Sequence, residues 1–160
     1  MRRYGQLACS LLLAVAGCDP GLSFTVPGAM VVMDQGREFE LAGPSQTTLR
    51  AQASVFTVTL SVGLTIINSG DSPLTIRHAS LEALNQDGAA IARKSGGPEP
   101  ACEHDAQAEE IVLPPGADCR LKGRFEANPD DYRLDTLTLL HAGVTRADVP
   151  IPISVVFEKE

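Results

Sequence analysis

From Ser54 to Asn68 the even positions hold Phe56, Val58, Leu60, Val62, Leu64 and Ile66, while the odd positions include Thr57, Thr59, Ser61 and Thr65. Apolar residues at a strict period of two put one face of an extended chain in a core and the other in water. An amphipathic helix needs a period near 3.6, so this stretch excludes one. The run is longer than an ordinary strand of about five or six residues, which predicts a bulge or bend at Gly63.

The remainder of the chain reads the same way. Asn68-Ser69-Gly70-Asp71-Ser72-Pro73 is a dense turn signal, followed by a strand from Leu74 to about Leu84. Asn85-Gln86-Asp87-Gly88 predicts a hairpin turn into Ala89-Ala90-Ile91-Ala92. Residues 94–108, with Gly96-Gly97-Pro98 and an acidic, Ala-rich run, predict an exposed loop. Glu110 to Leu113 reads as a strand, and Pro114-Pro115-Gly116-Ala117-Asp118 turns it into the next. There Cys119, Leu121, Gly123 and Phe125 share one face, and Arg120, Lys122 and Arg124 share the other. Leu134 to His141 alternates again, and Val149, Ile151, Ile153, Val155 and Phe157 form one face of a last strand. Pro150 and Pro152, on the opposite phase, lack amide donors and predict a sheet edge. Earlier, Ala29 to Met33 and Glu38 to Leu41 read as strands before a break at Gly43-Pro44-Ser45.

About seven or eight short strands with turns every eight to twelve residues or so, and no helical period, predict an all-β fold. The expected architecture is an immunoglobulin-like antiparallel β-sandwich. With no Trp and no Cys pair spanning distant strands, the chain differs from antibody-type domains.

Thr65-Ile66-Ile67-Asn68-Ser69-Gly70-Asp71-Ser72-Pro73-Leu74-Thr75-Ile76 resembles the strand, Asn-x-Gly turn and Pro-Leu-x-Ile strand of Hydin-like (ASH-type) immunoglobulin domains. Leu113-Pro114-Pro115-Gly116-Ala117-Asp118-Cys119 followed by Phe125 is similar to a later element of the same domains. Those domains carry Phe-x-Pro where this chain has Phe125-Glu126-Ala127, a departure that favours a second resemblance. The same stretches, with Asp87-Gly88 and Leu137-Thr138-Leu139, resemble the telokin-like domain of exported bacterial proteins. Either resemblance covers residues 54–157 or so, and implies a packing or adhesion module without a catalytic residue.

The N-terminus has the make-up of a secretory signal: Arg2 and Arg3, an apolar run from Leu7, and the small residues Ala16-Gly17 before Cys18. That run is too short to span a bilayer, which takes about twenty residues. Its exit, Val15-Ala16-Gly17-Cys18, resembles a bacterial lipobox. The resemblance implies cleavage before Cys18, diacylation of its sulfur, and attachment of the mature chain to a membrane through acyl chains. An ordinary signal peptidase acting after Ala16 is the alternative, with Gly17 as first residue. The expected organisation is a signal peptide over residues 1–17, a lipidated tether over 18–23 and the sandwich over 24–160.

Cysteine arithmetic follows from that reading. Cys9 leaves with the signal, and lipidation takes Cys18. Cys102 and Cys119 remain as a candidate disulfide in an oxidising compartment, worth ~3 kcal/mol for a loop of that length.

Charge and composition exclude several functions. The chain carries 13 Lys and Arg against 20 Asp and Glu, a net −7. Once Arg2 and Arg3 leave, 11 stand against 20, a net −9. Such a balance opposes a nucleic-acid partner and predicts a domain that stands off anionic headgroups. No nucleophile motif, zinc-protease helix or phosphate-binding glycine loop is present, so neither an enzyme nor a cofactor is expected. His78, His104 and His141 are far apart in sequence. Met30 and Met33, which with His78 would suit Cu(I), fall on opposite faces of a strand. Glu103, His104, Asp105, Glu109 and Glu110 offer oxygen ligands to Ca²⁺ but lack a Ca²⁺-loop spacing. The expected function is a lipid-anchored module of the bacterial cell envelope, periplasmic or on the outer surface, that binds an envelope protein. The alternative is a carrier of a small ligand or a metal such as Ca²⁺ or copper.

Overall fold

The structure, a computed structural model, describes residues 22–77, 81–95, 102, 108–127 and 134–160. In chain order the strands are β1 (Phe24–Thr25), β2 (Val31–Met33), β3 (Glu38–Ala42), β4 (Thr47–Phe56) and β5 (Thr59–Asn68). Then come β6 (Leu74–Arg77), β7 (Glu82–Leu84), β8 (Glu110–Leu113) and β9 (Asp118–Glu126). The last are β10 (Thr136–His141), β11 (Val144–Arg146), β12 (Val149–Pro150) and β13 (Ile153–Lys159). A single 3₁₀ turn, Asp34–Gly36, joins β2 to β3.

The long alternating run is two strands and not one. Thr57 takes a left-handed backbone, φ 56°, and the chain reverses there, pairing Phe56 with Thr59. The expected bend at Gly63 is absent: Gln52, Gly63 and Lys122 continue one unbroken register. Gly63 serves a close approach instead, because an added Cβ would meet the Gln52 side chain at 2.7 Å. The partner strand β4 begins seven residues before Ser54, in a stretch whose apolar positions are too sparse to announce it.

β2-β3-β4-β5-β9 form a five-stranded antiparallel sheet. The facing layer is β1-β13-β10-β7, continued by β12-β11-β6-β8. Leu140 opposes Glu82 whereas Val144 opposes Ile76, so the β6–β7 side carries two more residues than β10–β11 over the same interval. An excess of that kind bends a sheet and breaks its ladder. The described residues form 13 strands where seven or eight are expected, because the long run folds into β4 and β5, the ladders of the second layer are interrupted between β6 and β7 and between β10 and β11, and β1 and β12 are short separate pieces. Packing of β4, β5 and β9 against β13, β10 and β7 around one core gives an all-β antiparallel sandwich.

Alternation decides the core. Cys119, Leu121 and Phe125 from β9 and Leu137, Leu139, Val155 and Phe157 from β10 and β13 are buried in one cluster with Leu60, Leu64 and Ile66 of β5. The Phe157 ring meets Phe39 of the opposite sheet edge to face, centroids 6.3 Å apart, and Phe24 at 6.1 Å. Each such fully buried side chain stabilises by about 1.5–3 kcal/mol. Val149 departs from the expected row and is exposed, because β12 is a separate piece at its sheet's edge. Pro150 lies on that edge and Pro152 is exposed just beyond it, where a missing amide breaks no ladder.

Residues 90–94 cross between the layers. Ile91 donates its amide to Ala83 O at 2.8 Å beside β7; then Lys94 donates to Arg124 O at 2.9 Å beside β9. The crossing gives both strands a neighbour on their outer side.

Candidate functional site

The two ends of β5 differ in chemistry. At one end Asn68 is fully buried, as a polar group inside a sandwich can be only when its bonds are made. Its Nδ2 donates to Ser72 O at 2.9 Å and to Leu113 O at 3.0 Å. Its Oδ1 accepts from the Gly70 amide at 3.1 Å and from Arg146 Nη2 at 2.9 Å. The Gly116 amide donates to Asn68 O, and the Asn68 amide donates to Ala117 O. Gly70 has no room for a side chain, since a Cβ there would overlap the Arg146 guanidinium. The two stretches that carry the immunoglobulin-domain resemblance thus bind each other, and their conspicuous residues hold the fold.

Nearby, Cys102 and Cys119 are joined by a disulfide, Cα atoms 5.0 Å apart, with both residues buried. His141 is buried at the end of β10, where its Nδ1 accepts from the Gly143 amide at 3.3 Å. Arg93 lies over the Phe125 ring at 5.8 Å and donates to Leu81 O, so its cation serves the crossing segment.

On the solvent face of the five-stranded sheet, Arg50 pairs with Glu40 at 2.7 Å and Arg120 with Glu38 at 3.8 Å. The hydrogen bond to Glu40 holds the Arg50 guanidinium above its ordinary value. Exposed pairs like these contribute at most about 1 kcal/mol.

At the other end of β5 the hairpin tip is apolar and bare: Phe56 is 84% exposed and Val58 48%. Beside it opens a concavity of about 870 Å³ whose lining includes Leu22, Arg37, Phe56, Lys122 and Arg124. Alternation hid this tip, since Phe56 and Val58 keep the phase of the buried residues that follow. A second bare region is the edge strand β2. It is bonded to β3 on one side, and Met30, Val31 and Val32 are exposed.

Of the residues singled out by sequence, Cys9, Cys18, His78, His104, Glu103 and Asp105 lie outside the described residues. Glu110 pairs with Arg77 at 3.1 Å across the β6–β8 ladder. Among the described residues no three His, Cys, Asp or Glu side chains gather as a metal site. No helix among them is long and apolar enough to cross a membrane.

Fold and surface define a disulfide-bonded, all-β sandwich with two bare apolar regions. No family model matches the chain, and no curated protein matches it. Among solved structures it is similar to the yjhA protein from Bacillus subtilis, with a TM-score of 0.41 and 11% identity. That similarity covers 68% of this chain and 78% of the other.

Proposed function

We propose that this chain is a membrane-anchored lipoprotein of the bacterial cell envelope, held by acyl chains on Cys18. Its immunoglobulin-like sandwich is a non-catalytic module that binds another envelope protein. The observation that carries the reading is β2: a sheet edge with Met30, Val31 and Val32 exposed, which an extended segment of a partner can extend by one strand. Main-chain hydrogen bonds supply the affinity in that mode, and tethering at the membrane raises the effective concentration. The lipobox and the telokin-like or Hydin-like resemblance support the same assignment.

A photo-crosslinking residue placed at Val32 in the envelope-embedded protein should give a discrete adduct with one protein. The same probe at Val156, exposed on an inner strand, should give none. Equal labelling at both positions, or none at either, sinks the edge assignment. Mass spectrometry of membrane-extracted protein should find a chain beginning at diacylated Cys18, and a chain beginning at Gly17 removes the anchor. Submicromolar binding of Ca²⁺, Zn²⁺ or Cu⁺ by calorimetry would favour a carrier instead.

A further inference from the structure

We infer that the β4–β5 hairpin tip, Phe56-Thr57-Val58, inserts into the headgroup layer of the membrane that holds the anchor. The inference rests on the lipoprotein reading and adds a second contact between the domain and the lipid. Three observations converge on it. Phe56 is 84% exposed at the end of β4, where the chain enters a two-residue turn, and Thr57, a β-branched residue, sits at φ 56° to make that turn. Most of the Phe56 surface stays in solvent in that arrangement, and a strained turn beside an exposed aromatic ring is the kind of outlier from which function is read.

The second observation is reach. Leu22 and Ser23 line the same concavity as Phe56. Leu22 is four positions after Cys18, and four fully extended steps span at most about 14 Å. A lipid on Cys18 therefore keeps this end of the sandwich at the bilayer surface, whereas the Asn68 end lies about 30 Å away along β5.

The third is charge. Arg37, Lys122 and Arg124 line the concavity, and Lys94 reaches Thr59 beside it with Nζ 2.6 Å from the hydroxyl. Asp34 and Glu160 line it too, and Glu126 opposes Thr59. Four cationic side chains thus stand with three carboxylate side chains here, while the chain from residue 18 carries 11 against 20. Arg37 and Arg124 make no ion pair among the described residues, and both are exposed. An apolar tip collared by such cations matches an interface of acyl chains beneath phosphates. The net charge that predicts a domain standing off the membrane is therefore borne mostly by other surfaces.

The sequence contains no Trp, so Phe56→Trp introduces a single reporter. The chain from Cys18 onward has one free thiol, since Cys102 and Cys119 are bonded. That thiol can be coupled to a maleimide lipid in phosphatidylglycerol-rich vesicles, which restores the tether whatever the natural modification. Phe56→Trp emission should shift to the blue and be quenched by brominated acyl chains. Adding Arg37→Gln and Arg124→Gln should lower the ratio of inserted to free tip about 25-fold, at about fivefold per cation. Val149→Trp, at the Asn68 end, should stay in water. Unchanged Phe56→Trp emission, equal quenching of Val149→Trp, or insertion indifferent to the two arginines overturns the inference, as does a blue shift that needs an added protein. Because the lipid is coupled chemically, each outcome is separate from whether Cys18 is acylated in the cell.

Discussion

The two ends of the β4–β5 hairpin are built from the same two strands and obey opposite rules. At Asn68 four side-chain hydrogen bonds, a glycine without room for a methyl group and a buried disulfide close the sandwich. At Phe56 the strands end in a strained turn with the aromatic ring in solvent. Residues that look like a signature in the sequence are therefore the fold's fastening. The end that looks like ordinary strand is the one left available for contact.

The sharpest way to break this contrast is Asn68→Ala. It orphans the buried Leu113 carbonyl, the part-buried Ser72 carbonyl and the Gly70 amide, and urea unfolding should show a loss of about 3–4 kcal/mol. Replacing Cys102 and Cys119 together by Ala should cost ~3 kcal/mol on the same measurement. Gly70→Ala must displace Arg146 from Asn68, and a loss of about 1–2 kcal/mol is expected. At the opposite end the sign reverses: Thr57→Gly relieves the left-handed backbone and should raise stability by about 1 kcal/mol in calorimetric unfolding. Phe56→Ser should leave stability within about 0.5 kcal/mol. A large destabilisation by Phe56→Ser would show that the tip is structural and would erase the difference between the ends.

Much of the sandwich is legible in the sequence because alternation is a direct record of burial. Residues 119–125 alternate as expected and so do 136–141, although Leu134 is buried out of phase before β10 begins, and the turns at Asn85–Gly88 and Pro114–Asp118 lie where their chemistry puts them. The hairpin at Thr57–Val58 escapes because it contains none of the Gly, Asn or Asp that usually supply a positive φ. The two-residue loop switches the inward positions from odd in β4 to even in β5, but Phe56 and Val58 are apolar at even positions, so in the sequence the apolar pattern runs through the turn unbroken. β4 escapes for a different reason: Thr47, Leu49 and Ala51 are buried, yet only Leu49 is a large apolar residue. The bare edge β2 is visible as a strand, but its place in the sheet depends on pairings between distant segments.

One of the two shortest strands has a mechanical consequence. β1 joins the sandwich by two residue pairs, Phe24 with Lys159 and Thr25 with Glu158, at the outer margin of its sheet. A pull delivered through Leu22 loads those pairs first, like the last teeth of a zip, while the ten-residue β4–β5 ladder stays out of the line of force. Peeling Phe24 to Ala29 away would pay out about 20 Å of slack. Under such a load the sandwich should therefore give at β1 before its longer ladders do.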